Sequence, residues 1–395
     1  MLIGVPREIA RGERRVALVP EVVPQLTRVG HRVVIERQAG LRAGFTDEAY
    51  RAVGCDLVDS GADVYSTAQM ILKVQRPGRY DDSGEAELDL FQEGSVLIGL
   101  LQPSSDPSLF QQLAERKITA CSMELVPRTT RAQMMDALSS QSTVAGYKAV
   151  LIAANALQKF FPMLMTAAGT VRPARVLVIG AGVAGLQAIA TARRIGAVVE
   201  AFDTRPVVKE QVQSLGATFV ELDVHSGEAQ DQGGYARELS KEHIKREKEL
   251  IHKRALEADV IITTALIPGK PAPLLVEEDT VKAMRPGSVI VDLAGEQGGN
   301  CALTVPGETI VQHDVTIIAP LQIASELAYH ASQMYARNIG ALVTLLAPKG
   351  ELNLNFSDDI IDAVVITANG AIRHAPTRQR LGLANPLTPM PETTK

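Results

Sequence analysis

The hexapeptide Gly180-Ala-Gly-Val-Ala-Gly185 constrains the fold of this chain more than any other stretch. It follows an apolar run, Arg175–Ile179, and opens a helical pattern from Leu186 to Arg194. Each glycine answers a separate need. Gly180 takes the tight turn out of a strand, Gly182 lets the backbone approach a pyrophosphate, and Gly185 lets the helix lie close on the strand. The helix N-terminus then presents unpaired N–H groups to phosphate. A glycine pattern alone is weak evidence, but here a second strand-like run ends at Asp203, 23 residues beyond Gly180. That is close to where an acid meets the adenosine ribose hydroxyls. A carboxylate there repels a 2′-phosphate, so NAD is favoured over NADP. Arg205 pulls the other way, because an arginine accepts such a phosphate.

The rest of the chain supplies the setting this motif requires. One series of β-rich segments comprises Leu2–Pro6, His31–Glu36, Met70–Val74, Ser95–Leu101 and Ile118–Ser122. A second comprises Arg175–Ile179, Val198–Asp203, Thr218–Leu222, Asp259–Thr264, Ser288–Leu293 and Val315–Ile318. Continuous apolar strands separated by helices indicate parallel sheets covered on both faces. The expected class is therefore α/β, with two doubly wound, Rossmann-like domains joined by long helices. One helical pattern runs from about Arg131 to Lys159, and another from about Ala324 to Leu346. The second is expected to cross back, so the first domain is read as 1–140 plus 330–375 and the NAD-binding domain as 141–329. Residues 223–235 are polar and glycine-rich, and a mobile loop is expected over 223–238, followed by a charged helix. The proline-rich segment 376–395 is expected to be a disordered tail.

Composition narrows the partners. Among 395 residues, Lys and Arg number 40 and Asp and Glu 45, a net charge of -5 that offers no basic footprint for nucleic acid. Aromatics are 4% and Trp is absent, so base-stacking platforms are not expected. No run of about 18 apolar residues could span a bilayer. Three widely spaced cysteines, Cys55, Cys121 and Cys301, form neither a disulfide framework nor a zinc pattern and fit a reducing cytoplasm. No metal is expected, since none of the seven His residues has ligand spacing.

A second stretch carries chemistry. In Val126-Pro-Arg-Thr-Thr-Arg-Ala-Gln-Met-Met-Asp-Ala-Leu-Ser-Ser140, residues Gln133, Asp136 and Ser139 are spaced by three, just after Arg128 and Arg131. On a helix these three share a face. That face is either plain solvated surface or a set of hydrogen-bonding groups suited to a planar amide such as nicotinamide. Arg15 and Lys73 sit near ends of first-domain segments, and a Lys in an apolar strand is costly unless paired or solvated. Lys73 is expected either to hold a carboxylate in a cleft or to snorkel from a strand end. Glu296-Gln-Gly-Gly-Asn300 follows a strand at its carboxyl end, where ligands bind such sheets.

Taken together, Met1-Leu-Ile-Gly-Val-Pro-Arg-Glu8, Arg15-Val-Ala-Leu-Val-Pro20 and Gly180–Gly185 resemble the alanine dehydrogenase/transhydrogenase superfamily. Arg131–Ser140, Gly234-Tyr-Ala236, Thr263–Gly269 and Glu296–Gly307 resemble one branch, the NAD(H)-binding component of proton-translocating NAD(P) transhydrogenase. The resemblance spans roughly residues 1–375. It implies that Arg128, Gln133, Asp136 and Ser139, with Thr129, Thr130 and Arg131 among them, lie beside the nicotinamide. Gly182 and Val183, flanked by Gly180 and Gly185, match the pyrophosphate turn. Asp203, Thr204 and Arg205 match the adenosine-ribose contacts, Gly234 and Tyr235 a loop that closes over nucleotide, and Ala265 and Leu266 a cofactor-contacting strand end. It further implies a homodimer that docks an NADP(H)-binding β-subunit domain and membrane-spanning subunits. The chain would then be a separate soluble portion of the α subunit, peripheral on the cytoplasmic face of the inner membrane. The alternative is an alanine dehydrogenase, which shares Arg15 and Lys73. That family's catalytic His and Asp align here with Gln102 and Glu296, and Gln102 cannot serve as a general acid or base.

Overall fold

The computed structural model describes residues 1–221, 241–267 and 270–383. The loop expected at 223–238, with Gly234 and Tyr235, lies outside the described residues. The chain forms two compact units: Met1–Ser140 with the chain from Leu327 onward, and Gln141–Glu326. Each is an α/β body on a mainly parallel sheet.

The first unit has eight strands in the spatial order Ala371–Ile372, Val365–Ala368, Thr119–Ser122, Val96–Leu100, Met70–Gln75, Leu2–Val5, Arg32–Glu36 and Asp56–Val58. The first two named are antiparallel and the rest parallel. Every residue of Met70–Gln75 is buried, as a strand covered on both faces requires. On one face Ile3, Ile35, Leu72 and Ile98 pack with Tyr335, Ile339, Leu342 and Leu346. Those last four fall on one stripe of the helix Ala328–Leu346. They are fully buried, each worth about 1.5–3 kcal/mol if aliphatic. Tyr65, Ile71, Leu97, Phe110 and Ile366 fill the other face.

Among the described residues, the main sheet of the second unit has seven strands in the order Thr218–Val220, Val198–Phe202, Arg175–Ile179, Val260–Thr263, Val289–Asp292, Val315–Ile318 and Thr309–Gln312. All pairings are parallel except the last. Counted along the chain, the first four run three, two, one, four. The connections therefore diverge between Arg175–Ile179 and Val260–Thr263, and such a switch point is where doubly wound sheets bind ligands.

Three expectations need correction. The helix expected over 131–159 spans only Ala137–Ala156, because Gln133–Met135 is a 3-10 turn and Asp136 leaves helical geometry at φ −72°, ψ 85°. The first part of the tail expected over 376–395 is ordered, and its residues from 384 lie outside the described residues: Ala375–Arg380 is a helix with proline in its first turn, where the missing N–H costs nothing. Thr377 is buried, and Arg378 donates to the Ile372 carbonyl at 3.1 Å. The sheets are also wider than expected, gaining Asp56–Val58, Thr309–Gln312, the pair Val365–Ala368 and Ala371–Ile372, and a separate hairpin of Leu164–Thr166 with Gly169–Val171.

Candidate functional site

In the second unit the glycine-rich turn sits at the switch point. Gly180 has φ +98°, and a Cβ there would lie 2.6 Å from Thr264 Oγ1. Thr264 Oγ1 donates to the Gly180 carbonyl at 3.0 Å, tying the two central strand ends together. A Cβ on Gly185 would sit 1.8 Å from the Gly180 oxygen, so the helix Val183–Arg194 can lie this close only as glycine. Above Gly182, by contrast, nothing lies within 4 Å. That helix has Gly182 as N-cap and no side-chain cap, so its first N–H groups point outward without one. A narrow turn, open space and an uncapped helix end together fit a pyrophosphate.

Asp203 closes the next strand over. Its Oδ2 accepts the Ala181 N–H at 2.7 Å and Arg205 Nη2 at 2.8 Å, while Oδ1 accepts the Arg205 N–H and Nε, both at 2.9 Å. Thr204 Oγ1 is buried with no hydrogen-bond partner among the described residues. An orphaned hydroxyl beside this carboxylate fits a polar ligand such as ribose.

The sequence reading missed a hub that shapes the opposite side of the turn. Asp292 is fully buried at the end of Val289–Asp292. It accepts from Thr263 Oγ1 at 2.8 Å, the N–H groups of Ala294, Asn300 and Cys301 at 2.9, 2.8 and 3.1 Å, and Thr304 Oγ1 at 2.6 Å. The loop through Glu296–Asn300 is thereby folded around one carboxylate. Asn300 then grips Ala265, beside which Leu266 stands partly exposed. The available signal was an acid ending an apolar strand, the same signal that singled out Asp203.

In the first unit, Pro127, Arg128, Thr129, Thr130, Gln133, Asp136 and Ser139 line one pocket of about 300 Å³. They do so without sharing a helix face. Asp136 is the N-cap of Ala137–Ala156: its Oδ1 accepts the Ser139 N–H at 2.9 Å, and Ser139 Oγ donates to Oδ2 at 2.6 Å. Asn338 braces the loop, donating to the Met134 carbonyl at 2.8 Å and accepting from Ser140 Oγ at 2.7 Å. Arg131 does not line the pocket. Its guanidinium grips Asp358 at 2.7 and 2.8 Å and also bonds Asp359.

Lys73 does not snorkel: it holds carboxylates of its own chain, and Arg15 is paired as well. Lys73 is fully buried with Nζ 2.7 Å from Glu87 and 3.4 Å from Glu8. Arg15 donates to Glu13 through Nε at 2.8 Å and Nη2 at 2.6 Å. Burial alone would push the Glu13 carboxyl up, but Arg15, with Gln75, outweighs it and holds it at about 2. For Glu8, burial prevails over Lys73 and pushes the carboxyl up to about 7, with Glu87 and Glu13 adding to the rise. No group of three metal-ligating side chains and no helix long and apolar enough to cross a membrane occurs among the described residues.

Comparison with known proteins bears on these features directly. Residues 4–145 match the family model for the alanine dehydrogenase/PNT N-terminal domain, and residues 149–375 match that for its C-terminal domain. The chain belongs to the alanine dehydrogenase/PNT family. It is 46% identical over 377 residues to the first part of NAD(P) transhydrogenase subunit alpha from Rhodospirillum rubrum, covering 95% of this chain and 98% of that protein. It is 48% identical over 384 residues to NAD(P) transhydrogenase subunit alpha of Cereibacter sphaeroides, covering 95% of this chain and 72% of that one. The crystal structure of transhydrogenase from Sinorhizobium meliloti superimposes with a TM-score of 0.82 at 38% identity, covering 95% and 100% of the two chains.

Proposed function

We propose that this chain is the NAD(H)-binding component of a proton-translocating NAD(P) transhydrogenase. The observation that carries the reading is the open, uncapped turn Gly180–Gly185 set beside Asp203, in a chain whose near relatives are transhydrogenase alpha subunits. When bound, NADH supplies a hydride from its nicotinamide, which passes directly to NADP⁺ carried by a partner β subunit.

The chain's own residues bind and orient. Gly180, Gly182, Val183 and Gly185 receive the pyrophosphate, Asp203, Thr204 and Arg205 the adenosine ribose, and Ala265 and Leu266 a neighbouring part of the nucleotide. Arg128, Gln133, Asp136 and Ser139, with Thr129 and Thr130, hold the nicotinamide and its carboxamide. The reading of Gly234 and Tyr235 as nucleotide contacts falls outside the described residues. No acid, base or nucleophile is required; fixing two rings in a near-attack geometry contributes roughly 7–11 kcal/mol. The component works as a homodimer, held at the cytoplasmic face of the inner membrane by membrane-spanning subunits that move the protons.

The test is reconstitution. The purified chain is titrated with NADH and then mixed with an NADP(H)-binding transhydrogenase domain, and NADH-dependent reduction of NADP⁺ is followed by stopped flow. Failure of NADP⁺ held by a competent partner to be reduced would refute the reading, as would reduction of NAD⁺ by alanine without any partner.

A further inference from the structure

We infer that the choice against NADP(H) in this chain lies in the latch between Asp203 and Arg205, and that breaking the latch from the Asp203 side makes Arg205 a receptor for a 2′-phosphate. The inference rests on the NAD(H)-binding reading and goes beyond it. An arginine two residues past the ribose-binding acid is the residue type that accepts a 2′-phosphate in such folds. Its presence here therefore calls for an explanation.

The geometry supplies one. Arg205 lays Nε on Asp203 Oδ1 at 2.9 Å and Nη2 on Oδ2 at 2.8 Å, a two-pronged pair. Its own N–H bonds the same carboxylate at 2.9 Å, and the Ala181 N–H completes the set at 2.7 Å. The side chains of Arg205 and Asp203 are 15% and 6% exposed, so their charges cancel where water screens them little. A phosphate approaching here finds a guanidinium whose charge is balanced and whose fork is in use. Glu247, a second buried acid, has its carboxyl raised to about 7, by burial first and then by the charge of Asp203.

The latch makes asymmetric predictions. Asp203→Asn keeps the size and one carbonyl acceptor but removes the charge, which takes that countercharge away from Arg205. Arg205→Ala does the reverse and takes the guanidinium away from the carboxylate. The full chain, wild type and variants, is titrated separately with NADH and NADPH by fluorescence, with thermal unfolding recorded for each. Wild type binds NADH and discriminates against NADPH. Asp203→Asn tightens NADPH by roughly tenfold or more, the scale of one charge-assisted contact. Arg205→Ala weakens NADPH further, and Asp203→Asn with Arg205→Ala loses the gain. An Asp203→Asn chain that binds NADH but gains no NADPH affinity overturns the latch, as does a gain that survives removal of Arg205. If Asp203→Asn does not fold, Arg205→Ala decides alone: tighter or unchanged NADPH binding overturns the inference. A wild-type chain that binds neither dinucleotide overturns the NAD(H) reading itself.

Discussion

Asn300 holds Ala265 by both polar groups of its backbone: Asn300 Nδ2 donates to the Ala265 carbonyl at 2.9 Å, and the Ala265 N–H donates to Asn300 Oδ1 at 3.0 Å. The same Nδ2 also reaches the Pro273 carbonyl at 2.8 Å, and the Asn300 N–H is anchored on Asp292. Ala265 follows the strand Val260–Thr263 at the switch point, so the clamp sets a stretch of backbone that nucleotide is proposed to touch. Asn300→Ala strands three polar groups and should cost about 1–3 kcal/mol of stability. It should also weaken NADH binding, measured by titration beside urea unfolding. Unchanged NADH affinity in a destabilised variant would confine Asn300 to a structural role.

Gly182 and Gly185 should separate binding from folding. A methyl on Gly185 would lie 1.8 Å from the Gly180 oxygen, which forces the helix Val183–Arg194 off the sheet. Gly185→Ala should therefore destabilise by ~1–3 kcal/mol or more, as overpacking does, and lose NADH binding with it. A methyl on Gly182 meets nothing within 4 Å, and its φ of −75° suits any residue. Gly182→Ala should keep its melting temperature and lose NADH affinity, because the added carbon stands where the pyrophosphate is proposed. Full NADH affinity in Gly182→Ala would remove the pyrophosphate from this turn.

Such contrasts show which features could be read from the sequence. Strands such as Val176–Ile179 or Val289–Val291 announce themselves as unbroken apolar runs, since both faces are covered. The short antiparallel strands do not. Val365–Ala368 and Ala371–Ile372 lack the length for a pattern, yet Asn369 and Gly370 between them take φ +51° and +78°, as a two-residue hairpin turn demands. That dipeptide was the one local clue. The pocket of the first unit was legible as a set of residues but not as a geometry. Spacing by three suggested a helix face for Gln133, Asp136 and Ser139, whereas Asp136 interrupts the helix and caps it. Pairing over distance left no local trace: Arg131 is taken by Asp358 from more than 200 positions away, and Lys73 by Glu8 and Glu87.

The buried cluster around Lys73 should govern a share of the pH dependence of stability. Glu8, Glu13 and Glu87 face Lys73 and Arg15, three acids against two cations in a dry interior, and a proton on Glu8 restores neutrality. Glu8 has its carboxyl raised from 4.5 to about 7, by burial first. Between those values the folded chain keeps a proton the unfolded chain has lost, so rising pH favours unfolding and the loss levels off above the folded value. The size is on the order of 3 kcal/mol. Glu13, held at about 2, acts in a separate window: its contribution is complete above 4.5 and fades as pH falls toward 2. Glu8→Gln keeps an acceptor for the Val74 N–H and has no proton to lose. Urea midpoints between about pH 5 and pH 8 should fall with pH in wild type and fall much less in Glu8→Gln. Some slope should remain, because Glu247 titrates in the same window. Identical slopes in the two proteins would show that Glu8 carries no such proton.

Asp136 has two roles that substitution can pull apart. As N-cap it accepts the Ser139 N–H at 2.9 Å and the Ser139 hydroxyl at 2.6 Å, and it lines the pocket with Arg128 and Gln133. Asn caps a helix about as well as Asp, whereas Ala does not, at a cost of ~0.5–2 kcal/mol. The charge itself adds only ~0.3–1 kcal/mol through the helix dipole. Asp136→Asn should therefore fold with nearly wild-type stability, and Asp136→Ala should lose about 1 kcal/mol. If the carboxylate orients nicotinamide, single-turnover hydride transfer should drop strongly in both, while NADH affinity falls less because the pyrophosphate and ribose contacts remain. Arg128→Ala should share that kinetic defect without the capping loss, since Asp136 still accepts from Ser139 there. Asp136→Asn is the decisive variant. A normal transfer rate there would leave Asp136 a helix cap and nothing more, and the burden of positioning would pass to Arg128 and Gln133.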